Sequence, residues 1–222
     1  MLLSMTNIVI PVKNPSTAKQ RLGDLLTQDQ RHDLALALFS HVLATVRSIH
    51  TPLGCLVVTD SDEVAHLAAE SGSEVLREPR AVSETIAVDT ATRWSCSRGF
   101  DRQMVIPADL PWVTAGDLEE FLDLPEVGPS VVLCPATGDD GTNVVLTSPP
   151  DALTFRFGAR SFPDYVDQTR RRLLPLRIIR NSRLALDLDT PDDLKTFLDL
   201  AVDCPVYQML RGWNVRRHVP VA

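Results

Sequence analysis

The stretch that decides the fold is NIVIPVKNPSTAKQRL, residues 7–22. Five of its first six residues are apolar and four of them are β-branched, which is typical of a buried strand, and a polar loop follows directly. Thr27 and Gln30 then form a capping box in front of an amphipathic segment that ends near Ser48. A second short apolar run covers residues 55–59. A strand, a helix and a second strand at this spacing predict a βαβ unit with two parallel strands.

The same alternation continues along the chain. Short apolar runs predict further strands at residues 74–76, 103–107, 130–135, 143–147 and 176–179. Helical segments are predicted at residues 62–71, 83–97, 114–122, 161–172 and from Thr190 onward. We therefore expect an α/β fold in which helices flank a mostly parallel sheet, built as one domain over residues 1–202. Residues 203–222 form a tail that we expect to dock on this domain or at a dimer contact.

The composition excludes several classes of protein. The chain has 222 residues, of which 44% are hydrophobic and 23% are charged, as in an ordinary globular domain. The formal net charge of -7 and the lack of a basic tail argue against a partner nucleic acid held through its phosphates. No apolar run approaches the roughly 20 residues of a membrane span, and the N-terminus carries no export signal. We therefore expect a cytoplasmic protein without a membrane partner.

The polar loop after the first strand concentrates positive charge. Lys13, Lys19 and Arg21 all lie in it, although the chain has only three lysines against nineteen arginines. Lysine is a mobile point charge and arginine binds phosphate oxygens in a fork, so these cations suit a triphosphate. The alternative is a solvated charged loop. The patterns G-x-x-x-x-G-K-[ST] and G-x-G-x-x-G are both absent, which disfavours kinases, P-loop NTPases and dinucleotide-binding enzymes.

Carboxylates follow two other apolar stretches. Asp109 comes after the predicted strand 103–107, and Asp187 and Asp189 alternate in a chain segment that we expect to be extended. Alternate residues of an extended chain point the same way, so both carboxylates can face one site. Carboxylates repel phosphates unless a hard cation lies between them, and Mg²⁺ binds one or two carboxylates together with substrate oxygens. The three aspartates predict such a magnesium site, although Asp109 could stand in an exposed turn and Asp189 could cap a helix.

Two further segments carry groups that suit a bound ligand. Residues 138–143 combine two glycines, which allow close approach of the backbone, with the hydroxyl of Thr142. A plain hairpin loop is the alternative there. In residues 155–162 we expect Ser161 to cap the next helix, whose free N–H groups would face an anion, and the phenylalanines to lie in the core.

The order of the motifs resembles that of one known family. V-I-P-V-K and A-K-Q-R-L come first, followed by P-A-D-L-P, G-T-N, R-F-G-A-R-S-F and L-D-L-D-T-P-D-D-L. Over about residues 6–200 the chain resembles the CofC/FbiD family of guanylyltransferases. These enzymes act on 2-phospho-L-lactate, phosphoenolpyruvate or 3-phosphoglycerate in making coenzyme F(420). P-A-D-L-P is shared by related nucleotidyltransferases, whereas the last two motifs are much more specific.

The resemblance implies a single-domain, Rossmann-like nucleotidyltransferase fold of the GT-A-like type, with Mg²⁺ as cofactor and often a homodimer. It implies that the three aspartates bind the metal and that the basic loop binds the nucleotide phosphates. It also implies contacts between the phosphorylated three-carbon acid and Thr142, Gly158 and Ser161.

One segment departs from the family pattern. After Glu78 and Pro79 the family usually has a helix start like G-L-N-A-A-L, where this chain has A-V-S-E-T-I at residues 81–86. Glu84 in this segment could accept hydrogen bonds from guanine and so bind the nucleotide.

The predicted reaction is transfer of GMP from GTP to the phosphate of the three-carbon acid, with release of pyrophosphate. That phosphate is already anionic near neutral pH, because its second pKa is about 6, so no protein nucleophile is required. Lys13, Lys19, Arg21 and Asp109 would then act catalytically by positioning and charge neutralisation. Two alternatives remain, namely another small-molecule nucleotidyltransferase of the same fold and a non-catalytic paralogue that binds a nucleotide.

Overall fold

The computed structural model describes residues 5–50, 53–79, 83–123, 128–138 and 140–215. Seven of the described segments are strands, namely β1 (Thr6–Val12), β2 (Leu53–Thr59), β3 (Glu74–Arg77), β4 (Arg102–Val105), β5 (Ser130–Pro135), β6 (Thr142–Ser148) and β7 (Leu176–Ile178). The described α-helices are α1 (Gln28–Arg47), α2 (Asp62–Glu70), α3 (Glu84–Ser97), α4 (Ala115–Leu122), α5 (Ser161–Arg171), α6 (Ser182–Ala185), α7 (Pro191–Leu200) and α8 (Pro205–Gly212).

All these strands belong to one sheet, in the order β3-β2-β1-β4-β6-β5-β7. β1 is parallel to β2 and β4, and β2 is parallel to β3. β6 runs antiparallel to both of its neighbours, while β5 and β7 are parallel to each other. The predicted α/β fold with a mostly parallel sheet is therefore confirmed, and β6 is the strand that makes the sheet mixed.

Local sequence signals explain most of the helix starts. Thr27 and Gln30 form the predicted capping box of α1, and Thr190 forms another with Asp193 at the start of α7. Ser161 is different from the prediction. It is the first residue of α5 rather than its cap, and Arg160 occupies the cap position without a side-chain hydrogen bond. Neither α6 nor α8 was predicted from the sequence; α6 has only four residues, and α8 lies in the segment that we expected to be a docked tail.

The sheet separates two hydrophobic cores because neighbouring strand residues point to opposite faces. On one face, Ile8 and Ile10 of β1 pack with residues of α1, α2, α4 and α6. On the other face, Val9 packs with residues of α3 and α5. Packing on both faces holds the central strands β1 and β4 in place, and with them the start of the polar loops that follow their carboxyl ends.

A third cluster holds the C-terminal helices against α1. Leu34 and Leu38 of α1 pack with Phe197 of α7 and with Val206 and Leu210 of α8, all of them fully buried. The first part of the predicted tail is therefore a helix in contact with the rest of the fold, and residues 216–222 lie outside the described residues. Within the described chain, no helix is both long and apolar enough to cross a membrane.

Candidate active site

A cavity of about 750 Å³ opens where the strand ends and their following loops meet. It receives side chains from the ends of β1, β2 and β4, from the start of β6, and from the starts of α3 and α5. Every residue that the sequence analysis predicted for the site lines this cavity, namely Lys13, Lys19, Arg21, Glu84, Asp109, Thr142, Gly158, Ser161, Asp187 and Asp189. The fold therefore brings together residues that are widely separated in the sequence.

Lys19 lies between two of the predicted acidic residues. Its Nζ donates to Oδ2 of Asp109 at 2.6 Å and to Oδ1 of Asp189 at 3.1 Å, and its side chain is only 6% exposed. Its backbone is in the left-handed region at φ 54°, which is uncommon for a residue with a side chain and costs about 1–3 kcal/mol. One cation of the basic loop, Lys19, therefore already pairs with two of these carboxylates.

The other two cations of the loop are less constrained. Nη1 of Arg21 stands 3.8 Å from Oδ2 of Asp189, and 73% of the Arg21 side chain is exposed. The Lys13 side chain is exposed at the cavity and follows the end of β1 directly. These two charges are free to meet a ligand in the cavity without breaking a buried ion pair.

Backbone and side-chain hydrogen bonds fix the positions of the three aspartates. The N–H of Leu188 donates to the carbonyl oxygen of Asp109 at 3.2 Å, which joins the two acidic stretches. Nδ2 of Asn143 donates to Oδ1 of Asp187 at 3.1 Å and to the carbonyl of Leu184 at 3.0 Å. Residues 187–189 belong to neither a helix nor a strand, and Leu186 and Thr190 on either side of them have extended backbones.

The alternative role of Asp189 as a helix cap is wrong. The α7 cap is Thr190, whose hydroxyl accepts from the N–H of Asp193 at 3.2 Å. The Asp193 carboxylate accepts in return from Thr190 N at 2.7 Å and from the N–H of Asp189 at 3.2 Å. The Asp189 side chain is therefore directed to Lys19 and Arg21 rather than to the helix.

The carboxylates of the cavity perturb one another strongly. Burial, and then the charge of Asp109, raises the pKa of Asp187 to about 6. Burial and Asp109 likewise raise the pKa of Glu84 to about 7. Burial acts in the same direction on Asp189, but the charge and hydrogen bond of Lys19 outweigh it and lower the Asp189 pKa. Carboxylates that outnumber the nearby cations and have strongly shifted pKa values are typical of functional sites.

One buried carboxylate oxygen of the cavity suits the metal that the family resemblance implies. Oδ1 of Asp109 is buried and has no hydrogen-bond partner among the described residues. A buried anionic oxygen without a partner is costly, so this atom suits a cation. Within the described residues, no three His, Cys, Asp or Glu side chains could hold a metal by themselves. Mg²⁺ commonly takes one or two carboxylates and completes its shell with substrate oxygens and water, so the donor set fits a metal that arrives with a nucleotide.

A second part of the cavity presents unpartnered hydroxyl groups. Oγ1 of Thr142 and Oγ of Ser161 are both buried, and neither has a hydrogen-bond partner within the described part of the chain. Gly158 also lines the cavity, at φ 127°, a conformation that favours glycine. The described residues between β5 and β6 form a hairpin connection, and Gly138, Gly141, Thr142 and Asn143 line the cavity, so the predicted ligand contact of this segment stays a prediction.

The segment that departs from the family pattern is described only in part. Residues 81 and 82 lie outside the described residues. Ser83 caps α3 by accepting from the N–H of Ile86, and Glu84 begins the helix with its side chain lining the cavity. Thr85 accepts from the N–H of Phe157, which ties α3 to the loop that carries Gly158.

Asn143, Asp60 and Glu78 are among the polar residues of the cavity that were not identified as site residues from the sequence. Asn143 was considered only as part of the G-T-N motif, and its contact with Asp187 depends on the strand pairing of β6. Asp60 and Glu78 directly follow β2 and β3, and both line the cavity. The signal that identified Asp109, a carboxylate immediately after an apolar strand, would have identified Asp60 in the same way.

Comparison with known proteins yields a family and a fold. The family model described as guanylyl transferase CofC like matches residues 6–215. The 3-phospho-D-glycerate guanylyltransferase of Colwellia psychrerythraea is 38% identical over 205 residues, covering 92% of this chain and 96% of the relative. The phosphoenolpyruvate guanylyltransferase of Sphaerobacter thermophilus is 40% identical over 207 residues, covering 91% and 96%.

Solved structures with the same fold are more distant in sequence. A protein of Desulfovibrio desulfuricans G20, assigned as a nucleotide-diphospho-sugar transferase, superimposes with a TM-score of 0.79 at 21% identity and covers 97% of this chain and 98% of that one. A nucleotidyl transferase of Methanothermobacter superimposes with a TM-score of 0.63 at 17% identity, covering 94% and 99%. At these identities the similarity shows the fold alone, which is that of nucleotidyltransferases.

Proposed function

The chain belongs to the family of CofC-like guanylyl transferases, and from this membership we propose that it transfers GMP from GTP to the phosphate of a three-carbon phospho-acid. The acids in question are phosphoenolpyruvate, 2-phospho-L-lactate and 3-phosphoglycerate, and the product would enter the making of coenzyme F(420). The homodimer implied by the resemblance stays a prediction.

The reaction exchanges one phosphoanhydride bond for another. An oxygen of the acid's phosphate attacks the α-phosphorus of GTP, and the bond from that phosphorus to the oxygen bridging to the β-phosphate breaks. Pyrophosphate leaves with the electron pair of the broken bond. Because the attacking oxygen is already anionic near neutral pH, the protein needs to position two anions and offset their repulsion rather than supply a base.

The positive groups of the cavity suit that task. Lys13 and Arg21 would bind the triphosphate, since both are available to a ligand and a mobile cation near the leaving pyrophosphate stabilises its developing charge. Lys19 would join them once another cation compensates Asp109 and Asp189. Glu84 lines the same part of the cavity and would contact the nucleotide.

Asp109, Asp187 and Asp189 would hold Mg²⁺ together with phosphate oxygens of the substrates. When bound there, the ion would neutralise negative charge on the reacting phosphates. The residues of the chain supply the arrangement, because Asn143 orients Asp187 and the backbone bond from Leu188 to Asp109 keeps the two acidic stretches side by side.

One observation carries the proposal most directly. The hydroxyls of Thr142 and Ser161 are buried and unpartnered among the described residues, and they face the same cavity as the cation-binding groups. A buried hydroxyl without a partner costs free energy, so this part of the cavity is suited to an anion that accepts both hydrogen bonds. A carboxylate or phosphate of the three-carbon acid would do so.

Replacing Ser161 tests this role against a matched control. Ser130 also has a buried, unpartnered Oγ within the described residues but does not line the cavity. We expect Ser161→Ala to raise the KM for the acid by about 10-fold, because a hydrogen bond to a charged group is worth about 1.5–3 kcal/mol. The KM for GTP should change little. Ser130→Ala should leave both constants unchanged, and an equal effect of the two variants would refute a direct contact.

A substrate panel decides the reaction itself. Wild-type protein is incubated with Mg²⁺, each nucleoside triphosphate and each three-carbon phospho-acid, and pyrophosphate release is measured. Release with GTP and one of the acids supports the proposal and identifies the acid. Release only with a different phosphorylated compound indicates another nucleotidyltransferase of this fold. Nucleotide binding without release in any mixture indicates a non-catalytic paralogue.

A further inference from the structure

The cavity has an order that follows the order of the strands. The unpartnered hydroxyls of Thr142 and Ser161 lie at β6 and α5, while Asp109 follows β4 and Lys13 follows β1. Since β6, β4 and β1 are neighbours in the sheet, the acid, the cations and the triphosphate of the proposed function would occupy consecutive places along its carboxyl edge. The next strands in that direction are β2 and β3. A nucleotide with its phosphates at β1 would then place its base at the ends of these two strands, because the acid would occupy the other side.

Two carboxylates stand at this remaining end of the cavity. Asp60 follows β2 and Glu78 follows β3, and both side chains are half-buried in the cavity wall. Neither carboxylate has a hydrogen-bond partner within the described residues. Burial, and then the charge of Asp60, raises the pKa of Glu78, which indicates that the two carboxylates are neighbours. Apolar atoms of Pro11, Val58 and Ala87 line the cavity beside them.

The backbone that carries these two side chains is braced. The guanidinium of Arg77 donates to the carbonyl oxygens of Ser61 and Asp60. The N–H of Ser61 donates to Oγ1 of Thr59 at 3.1 Å, and the N–H of Glu78 donates to the Thr59 carbonyl at 3.0 Å. The loop after β2 and the residue after β3 are therefore held to each other, while both carboxylates stay available to the cavity.

From this geometry we infer that Asp60 and Glu78 select the base, by accepting hydrogen bonds from the N1–H and the 2-amino group of guanine. The inference rests on the proposed function. Guanine presents two adjacent donors on its Watson–Crick edge, which match acceptor-only carboxylates. Adenine presents an acceptor at N1, which a carboxylate repels, and hypoxanthine lacks the 2-amino donor. The apolar side chains beside the carboxylates suit the faces of a purine ring.

Glu84 is less suited to this role than the sequence alone indicated. Its pKa is raised by burial and by Asp109, and it is influenced by Lys13, Asp187 and Asp189, so it lies among the groups for the phosphates. In the sheet order, Asp60 lies two strands and Glu78 three strands away from Asp109. The two glutamates thus provide a comparison inside one cavity, because the same Glu→Gln change can be made at each end.

The experiment measures base selectivity rather than activity alone. Values of kcat/KM are determined with GTP, ITP and ATP for the wild type and for Asp60→Asn, Glu78→Gln and Glu84→Gln. Glu74→Gln, on the exposed start of β3, is the control outside the cavity. Direct binding of GTP and ITP is measured by calorimetry on the same proteins, so that selectivity is known even for a variant that does not turn over.

We expect whichever of Glu78→Gln and Asp60→Asn alters the acceptor of the 2-amino group to reduce the preference for GTP over ITP by at least about 10-fold, and the other variant to weaken GTP and ITP alike. An amide keeps one acceptor but turns a donor toward the second donor of guanine, whereas hypoxanthine has only one donor to satisfy. The relative rate with ATP should rise. Glu84→Gln should lower activity with GTP and ITP alike, and Glu74→Gln should change neither.

The outcomes separate this inference from the proposed function. Unchanged GTP-to-ITP ratios in both Asp60→Asn and Glu78→Gln, in turnover and in binding, would overturn the role of these residues while guanylyl transfer stands. If the wild type transfers no GMP to any phospho-acid, the proposed function fails. A loss of GTP-selective binding in one of the two variants would still support the base site in that case.

Discussion

Two buried charged clusters in this fold behave in opposite ways. The first joins Asp117 of α4 to Arg183 and Asn181 at α6. Nε and Nη2 of Arg183 donate to the two Asp117 oxygens, both at 2.7 Å, and Nδ2 of Asn181 donates at 2.7 Å. Thr114 adds donations from its N–H at 2.9 Å and its hydroxyl at 2.6 Å. Each oxygen of this buried carboxylate therefore has at least two partners.

The second cluster is that of Asp109, Asp187 and Asp189 with Lys19. It contains more negative than positive charge, and one Asp109 oxygen has no partner among the described residues. The pKa values reflect this contrast. Burial would raise the pKa of Asp117, but hydrogen bonds from Arg183, Thr114 and Asn181 lower it to about 2, whereas the pKa of Asp187 is raised to about 6.

This contrast indicates that the Asp117 cluster stabilises the fold, whereas the Asp109 cluster is suited to bind a ligand. Hydrogen bonds that satisfy both oxygens of a carboxylate lower its pKa, and the ionised carboxylate then stabilises the folded state. A group of carboxylates that raise one another's pKa destabilises the unliganded fold, and this cost is offset only when a cation or substrate binds. Substitutions in the two clusters should therefore have separate effects on activity and on stability.

The largest effect is expected from Asp109→Asn. We expect guanylyl transfer to fall by at least about 100-fold, as is typical for the loss of one electrostatic group in an active site. The free energy of unfolding should change by less than about 1 kcal/mol, because the lost contact with Lys19 is offset by relief of repulsion with Asp187. Turnover and urea denaturation measure the two quantities. Near-normal turnover would contradict the proposed metal role of Asp109.

Asp117→Asn should show the opposite pattern. Removing the charge leaves Arg183 without its partner and places an amide N–H₂ among donors, which should cost about 3 kcal/mol of unfolding free energy. Transfer activity of the folded variant should fall by less than about 10-fold, since Asp117 does not line the cavity and instead contacts Arg183 of α6. Urea denaturation measures the loss, with Asp123→Asn at the exposed end of α4 as control. If Asp117→Asn is as stable as the control variant, the Asp117 cluster does not stabilise the fold as proposed.

A smaller effect concerns the pH dependence of stability. The pKa of Asp187 in the folded state is about 6, above the ordinary 3.8, so its ionisation opposes folding. Its contribution is favourable below pH of about 4 and is lost as the pH rises through about 6. In EDTA, Asp187→Asn should therefore have a higher Tm than the wild type at pH 7, by a few degrees, and an equal Tm near pH 4.

The Asn side chain at position 187 keeps an oxygen for the donation from Asn143, so the comparison isolates the charge. Asp24→Asn, at an exposed side chain, serves as the control and should show no such pH-dependent gain. A Tm difference of the same size at pH 4 and pH 7 would show that the repulsion between Asp109 and Asp187 is not the cause.

The smallest effect on stability is expected from Arg21→Gln. Its contact with Asp189 is long, at 3.8 Å, and the guanidinium is largely exposed, so the free energy of unfolding should change by less than about 0.5 kcal/mol. The KM for GTP should nevertheless rise, because the exposed cation is available to the triphosphate. Thermal denaturation and initial rates measure the two quantities. A large loss of stability with unchanged KM would assign Arg21 to the fold rather than to the site.

Much of the fold could be predicted from the sequence, because it depends on local patterns. The strand at β1, the capping box of α1 and the helix start at Thr190 all depend on residues within a few positions of each other, and the structure has them within a residue or two of the predicted bounds. The antiparallel place of β6 between β4 and β5 was not predictable in this way. It depends on pairing between segments that share no local signal.

The alternation of strands and helices, the chemical types of the site residues and the family resemblance in their order can all be recognised in the amino-acid sequence. The insertion of Lys19 between Asp109 and Asp189, the contact of Asn143 with Asp187 and the place of Asp60 and Glu78 in the cavity wall are visible only in the folded chain. Secondary structure follows from short-range patterns, whereas a charge network depends on distances between residues far apart in the chain, which only the packed sheet defines.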